Sequence, residues 1–237
     1  ADGLCAVLQW RLAAPGAATL ITGLKREIEL LQRVQAAPGD EVLVCDLSMQ
    51  RNLKPLQRLL DAGVQVRYFD HHRVDAVPQH AALQAHIDGA ADVCTSLLVD
   101  RVLQGRFRAW ALVGAYGDNM ARVADGLATG MALDERARAD LRSLGEAINY
   151  NAYGDTAADQ HIAPQRLFVS MQAFSDPLQF FHVEPIGKAL DALRQAHDLV
   201  RSAQRRATHT QMQAITGQLK RHVDVEHERK RCLLCPR

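Results

Sequence analysis

No apolar run in the chain reaches the about 18 residues that a membrane-spanning helix needs, so no span is expected. No signal peptide is visible. The chain opens at Ala1-Asp2-Gly3 without a Met, which is the expectation for a stretch cut from a longer protein. Cysteine is sparse, five in 237 residues, and the scattered positions exclude a disulfide framework. Cys5, Cys45 and Cys94 sit inside apolar runs and read as small core residues. Internal repeats and long low-complexity tracts are also absent. The expected compartment is the cytoplasm. A broad basic face is missing as well. The formal net charge is +1, but residues 200–237 hold nine Lys/Arg against three Asp/Glu, which leaves residues 1–199 with 19 against 24. An acidic body does not suit long duplex nucleic acid. It suits a small anionic substrate held through metal ions.

Hydrophobic residues make up 48% of the chain, ample for a packed core. Helical spacing marks residues 3–13, 24–37, 52–63, 92–105, 132–151 and 186–204. Asp92 is a plausible N-cap for the fourth of these. The apolar segment 107–118 reads as a further helix, with a strand the alternative. Strand-type runs occupy 18–22, 41–46, 64–70 and 83–88. Alternating buried strands and helices imply an α/β fold with a mainly parallel sheet flanked by helices, followed by a helical C-terminal region. The texture changes beyond Ala124, and the expected division is a core of residues 1–155 and an incomplete or altered region of 156–237.

In such sheets the carboxyl ends of the strands carry the ligand site. Asp46 ends one strand, and Asp70-His71-His72 ends another. Asp2 precedes the first helix, and Asp118 closes an apolar segment. Each has a bland alternative: Asp2 as an N-cap, Asp46 and Asp118 as turn or cap residues, the two histidines as a polar turn. Together they have the composition of a divalent-metal site, in which carboxylates from separate strand ends and fixed imidazoles surround hard cations.

The ordered motifs "DGLCAVLQWRL", "VLVCDLSM", "VRYFDHH" and "VGAYGDN" resemble the DHH phosphoesterase superfamily over roughly residues 1–155. That group includes RecJ-type exonucleases, nano-RNases, cyclic-dinucleotide phosphodiesterases and manganese-dependent inorganic pyrophosphatases. The resemblance implies that Asp2, Asp46, His71 and Asp118 are metal ligands, with Asp46 bridging two ions. It implies that His72 contacts the substrate phosphate as the catalytic residue. Asp70 would orient His71 or its turn from outside the ligand set. The implied cofactor is Mn2+, with Mg2+ the other candidate. The implied reaction is hydrolysis of a phosphodiester or phosphomonoester by a two-metal hydroxide mechanism. The substrate would be a small nucleotide or short single-stranded oligonucleotide, and a homodimer is an option.

Two departures qualify that expectation. The first Asp of the family's Asp-x-Asp would stand just before Ala1, so an impaired two-metal site is expected of this stretch. No glycine-rich, His-containing motif follows residue 160. The competing reading is a non-catalytic protein of the same fold that binds nucleotide or metal. Of the remaining features, Cys232 and Cys235 with His222 and His227 have zinc-ligand spacing but read better as an exposed tail. Lys25-Arg26 reads as a solvated helix start, with phosphate contact the alternative. Asn149-Tyr150-Asn151 and Tyr153-Gly154 read equally as cleft lining or turn. Phe180-Phe181 reads as packing.

Overall fold

The computed structural model describes residues 1–24, 27–152 and 161–192, with Gln195 and Asp198. Almost all of these fall in one compact unit, Ala1–Arg194. Three parallel strands form the sheet: β1 (Glu41–Cys45), β2 (Gln65–Asp70) and β3 (Leu83–Ile87), in that spatial order. Val42 aligns with Val66, and Phe69 with His86, so all three strands end at one edge. Helices α1 (Asp2–Ala13), α2 (Leu53–Asp61), α3 (Thr95–Val102), α4 (Arg108–Gly117) and α6 (Glu135–Asn151) follow the sequence pattern, while α5 (Ala121–Ala128) is a helix that the spacing did not mark. The expected α/β class with a parallel sheet flanked by helices is what the chain forms.

Strand alternation assigns the two faces. Val44, Val66 and Tyr68 face α2 and bury against Leu56, Leu59 and Leu60. Phe69 faces the other way and buries with Ala6 of α1 and Val99 of α3. α4 lies behind α1 and α3, and α6 lies behind α4. Gly145 of α6 makes the last contact close: a Cβ there would run into the Val113 carbonyl. α7 (Pro164–Met171) and α8 (Pro177–Val183) add Phe168, Met171, Phe180 and Phe181 to the core around Trp110. Phe180 sits 5.9 Å from the Trp110 ring, so the aromatic pair packs, as its sequence setting suggested. The Trp110 indole N–H donates to the Phe174 carbonyl at 3.1 Å, which satisfies its one polar atom.

Two of the expected elements form otherwise. Residues 18–22 form no strand; the segment is anchored instead by Leu20 on the main core. The helix expected over 24–37 shrinks to one 3₁₀ turn, Leu30–Arg33. The reason is local competition for backbone groups. The Glu27 carboxylate accepts from the Leu24 N–H at 2.7 Å and pairs with Arg33. Buried Asn52 accepts from the Leu31 N–H (3.3 Å) and donates to the Ile28 and Ser48 carbonyls (2.7 and 2.9 Å). These bonds replace the helical ladder. Residues 153–160, around the expected boundary, lie outside the described residues. So do Lys25, Arg26, Tyr153, Gly154 and the Cys232/Cys235 tail. Asn151 bonds both the N–H and the carbonyl of Ile162. No helix among the described residues is long and apolar enough to cross a membrane.

Asn52→Ala removes three bonds from a buried site and is expected to destabilise the fold by about 2–3 kcal/mol. Urea denaturation of the variant checks this.

Candidate metal centre

The parallel register brings the ends of β1 and β2 side by side. Asp46, one residue past β1, adopts a left-handed backbone (φ 59°), an uncommon conformation for a non-glycine residue. Its N–H donates to the Phe69 carbonyl at 3.0 Å, which continues the pairing while the chain turns. Its carboxylate then meets three donors. Gly3 N–H reaches Oδ2 at 3.0 Å, the Thr95 hydroxyl reaches Oδ1 at 3.4 Å, and His71 Nε2 lies 3.3 Å from Oδ1. The position of Gly3 is set by space: a Cβ there would lie 2.9 Å from the Asp46 Cβ and 3.2 Å from its Oδ2.

Asp2 lies in the first turn of α1 but does not cap that helix. Its carboxylate crosses to α3 and accepts from the Thr95 N–H (2.8 Å) and the Ser96 N–H (2.7 Å). Two amides left unpaired by helix geometry are thereby satisfied, at the positive end of the α3 dipole. Asp92, the N-cap expected from sequence, stays exposed, and Cys94 holds the cap position. Asp2 is fully buried, and burial together with the Asp46 charge pushes its carboxyl up to about 6.

The three consecutive residues Asp70, His71 and His72 divide the work. Asp70 is fully buried. One of its oxygens accepts from the Met49 N–H (3.1 Å); the other accepts from the His72 N–H (3.2 Å) and lies 2.6 Å from His72 Nδ1. Asp70 therefore orients His72 and the loop after β1, and not His71. The Val93 carbonyl, 3.2 Å from His71 Nδ1, orients His71 instead. Because a carbonyl only accepts, Nδ1 carries the proton, and Nε2 faces Asp46 and, at 3.9 Å, Asp118. The Asp46 hydrogen bond, helped by the charges of Asp2, Asp46 and Asp118, outweighs burial and lifts His71 to about 9. The Asp70 hydrogen bond raises His72, whose side chain is 46% exposed. For Asp46, burial pushes up, but the His71 bond and nearby positive charge outweigh it and hold the carboxyl below its usual range.

Asp118 caps the C-terminus of α4. Asn119 takes a left-handed conformation (φ 63°), and the Met120 N–H returns to the Ala115 carbonyl at 2.9 Å, closing the helix. A carboxylate there stands at the negative end of a helix dipole, where a cation is favoured.

All the residues expected at the centre thus meet at one edge. Ligand-capable atoms of Asp2, His71 and Asp118 lie within 4.8 Å of one another, as do those of Asp46, His71 and His72. Among the described residues no Lys or Arg pairs with Asp2 or Asp46. Three carboxylates gathered near one imidazole, whose Nε2 faces two of them, make an oxygen-rich donor set that fits a hard divalent cation. The two groups that could hold it are Asp2, His71 and Asp118, and Asp46, His71 and His72. Sequence reasoning missed Gly3, Thr95 and Val93. A Thr-Ser pair opening an apolar helix was the available signal for Thr95; the Val93 carbonyl left none. Compared with known proteins, the chain matches no family model, no curated protein and no solved structure.

Two outcomes are expected. Gly3→Ala, forced against Asp46, destabilises by about 1–3 kcal/mol, read by urea denaturation. His71 holds its proton more tightly when folded (about 9) than when unfolded (about 6.5). Its stabilisation is therefore complete below pH 6.5 and lost as pH rises to 9. The urea midpoint of the metal-free protein should fall across that window, and His71→Gln should flatten the fall.

Proposed function

We propose that the chain is a divalent-metal-dependent phosphoesterase acting on a nucleotide or short oligonucleotide, as its resemblance to the DHH superfamily implies. One observation carries the reading. His71 is locked through Nδ1 so that Nε2 faces the carboxylates of Asp46 after β1 and Asp118 at the end of α4, with a carboxylate oxygen of Asp2 from α1 in the same group. A structural ion pair would not need three acids around one imidazole.

Asp2, Asp46, His71 and Asp118 hold the ion, with Mn2+ the best match to mixed oxygen and imidazole donors and Mg2+ the other candidate. A bound divalent ion supplies Lewis-acid polarisation of a phosphoryl oxygen and acidifies water. His72, held by buried Asp70 through Nδ1, presents its other ring nitrogen to a phosphate oxygen. The Asp70 bond that raises its pKa favours the protonated, anion-binding form. The half-exposed ring suits a ligand arriving from solvent.

Hydrolysis of a panel of nucleotides and small phosphodiesters with Mn2+ tests the proposal. Weak activity that disappears with EDTA and in His71→Ala is expected, in keeping with the impaired two-metal site. Mn2+ binding without hydrolysis would replace the enzyme reading with the non-catalytic binding one. No Mn2+ binding would overturn both. Protons on His71 and Asp2 compete with the ion, so Mn2+ affinity should climb as pH rises from about 6 towards about 9. Calorimetry in buffers of different ionisation enthalpy would record the released protons.

A further inference from the structure

Thr95 is fully buried at the start of α3, and its two hydrogen-bond donors are divided between two carboxylates. Its N–H donates to Asp2 Oδ2 at 2.8 Å. Its hydroxyl donates to Asp46 Oδ1 at 3.4 Å. The second bond has one direction only, because an ionised carboxylate accepts and does not donate. The oxygen it reaches is the one that faces His71 Nε2. The other oxygen of Asp46 is held by Gly3, whose neighbour in the chain is Asp2. Besides His71, Asp46 therefore has one donor on each oxygen, and both of these donors belong to residues tied to Asp2. A hydroxyl with a neighbouring backbone carbonyl as its partner would be an ordinary packing residue; this one has a carboxylate from a strand end 49 positions away.

We infer that Thr95 is a positioning residue, which sets the spacing and rotation of Asp46 relative to Asp2 and so preorganises the cation site. The inference rests on the metal reading for its consequence, although the bond itself exists without metal. Nothing in the four sequence motifs includes Thr95. It acts from behind the carboxylates, as residues that support metal ligands generally do.

The experiment uses the whole chain and three variants, Thr95→Val, Thr95→Ser and Asp46→Ala. Mn2+ affinity is measured by electron paramagnetic resonance, and Co2+ absorption reports coordination geometry. Thr95→Val, which keeps shape and loses the hydroxyl, is expected to weaken Mn2+ binding about tenfold and alter the Co2+ spectrum. Thr95→Ser restores both. Equal affinity in Thr95→Val and wild type, with Asp46→Ala impaired, overturns the role of Thr95 and leaves the metal site standing. If wild type binds neither ion, the metal reading falls, and a metal-free urea titration of Thr95→Val, Asp46→Ala and the double variant decides for Thr95. A loss of midpoint on Thr95→Val that vanishes in the Asp46→Ala background supports the Thr95–Asp46 bond. The same loss in both backgrounds overturns it.

Discussion

The bond between the Asp2 carboxylate and the first amides of α3 is the constraint on which the rest of the site depends. It joins residues more than ninety positions apart in sequence. It fixes the start of α1 against the start of α3, and both helices lie on the same face of the sheet. Gly3 then comes close enough to β1 to hold Asp46. A carboxylate buried this deeply is costly unless its oxygens are paired, and two helix-terminal amides are well-directed donors for it. The site's geometry is therefore inherited from helix capping.

Electrostatics gives the second layer. Burial and the Asp46 charge hold Asp2 towards its neutral form, while His71 takes up a proton to offset the acids around it. Protons on either group reduce the negative charge gathered there. Each of those protons occupies a place where a cation would give the same compensation with stronger and more directional bonds. The closure of α4 adds to this demand, because Asp118 stands where the helix end is itself negative.

Much of this was legible in the sequence, and the limits have physical reasons. Strands ending at Asp46 and Asp70 were visible because short apolar runs bounded by acids and glycine have few other meanings in an α/β pattern. The helices around Trp110 and Leu144 were visible through their 3.6-residue spacing. The failure at residues 24–37 came from Asn52, a residue in another element whose side chain took the backbone groups that a helix would have used. Periodicity cannot register a competitor twenty positions away. Asp70 was expected to orient His71 or its turn; it holds the turn, but its imidazole partner is His72, for a related reason. β2 ends at Asp70 and the chain turns there, so the residue two positions on came within reach, and the adjacent one turned to the Val93 carbonyl.

The closure of α4 at Asn119 has one more consequence. Asp118 caps a helix whose buried residues, Trp110 to Gly117, are packed against α1, α3 and α6. Its direction is a matter of helical phase. One residue added within α4 turns everything after it by about 100° and carries it about 1.5 Å along the axis. The acid would then point away from His71 while every side chain in the site kept its chemistry. The number of residues between Phe107 and Asp118 is thus as much a part of the centre as the carboxylate itself.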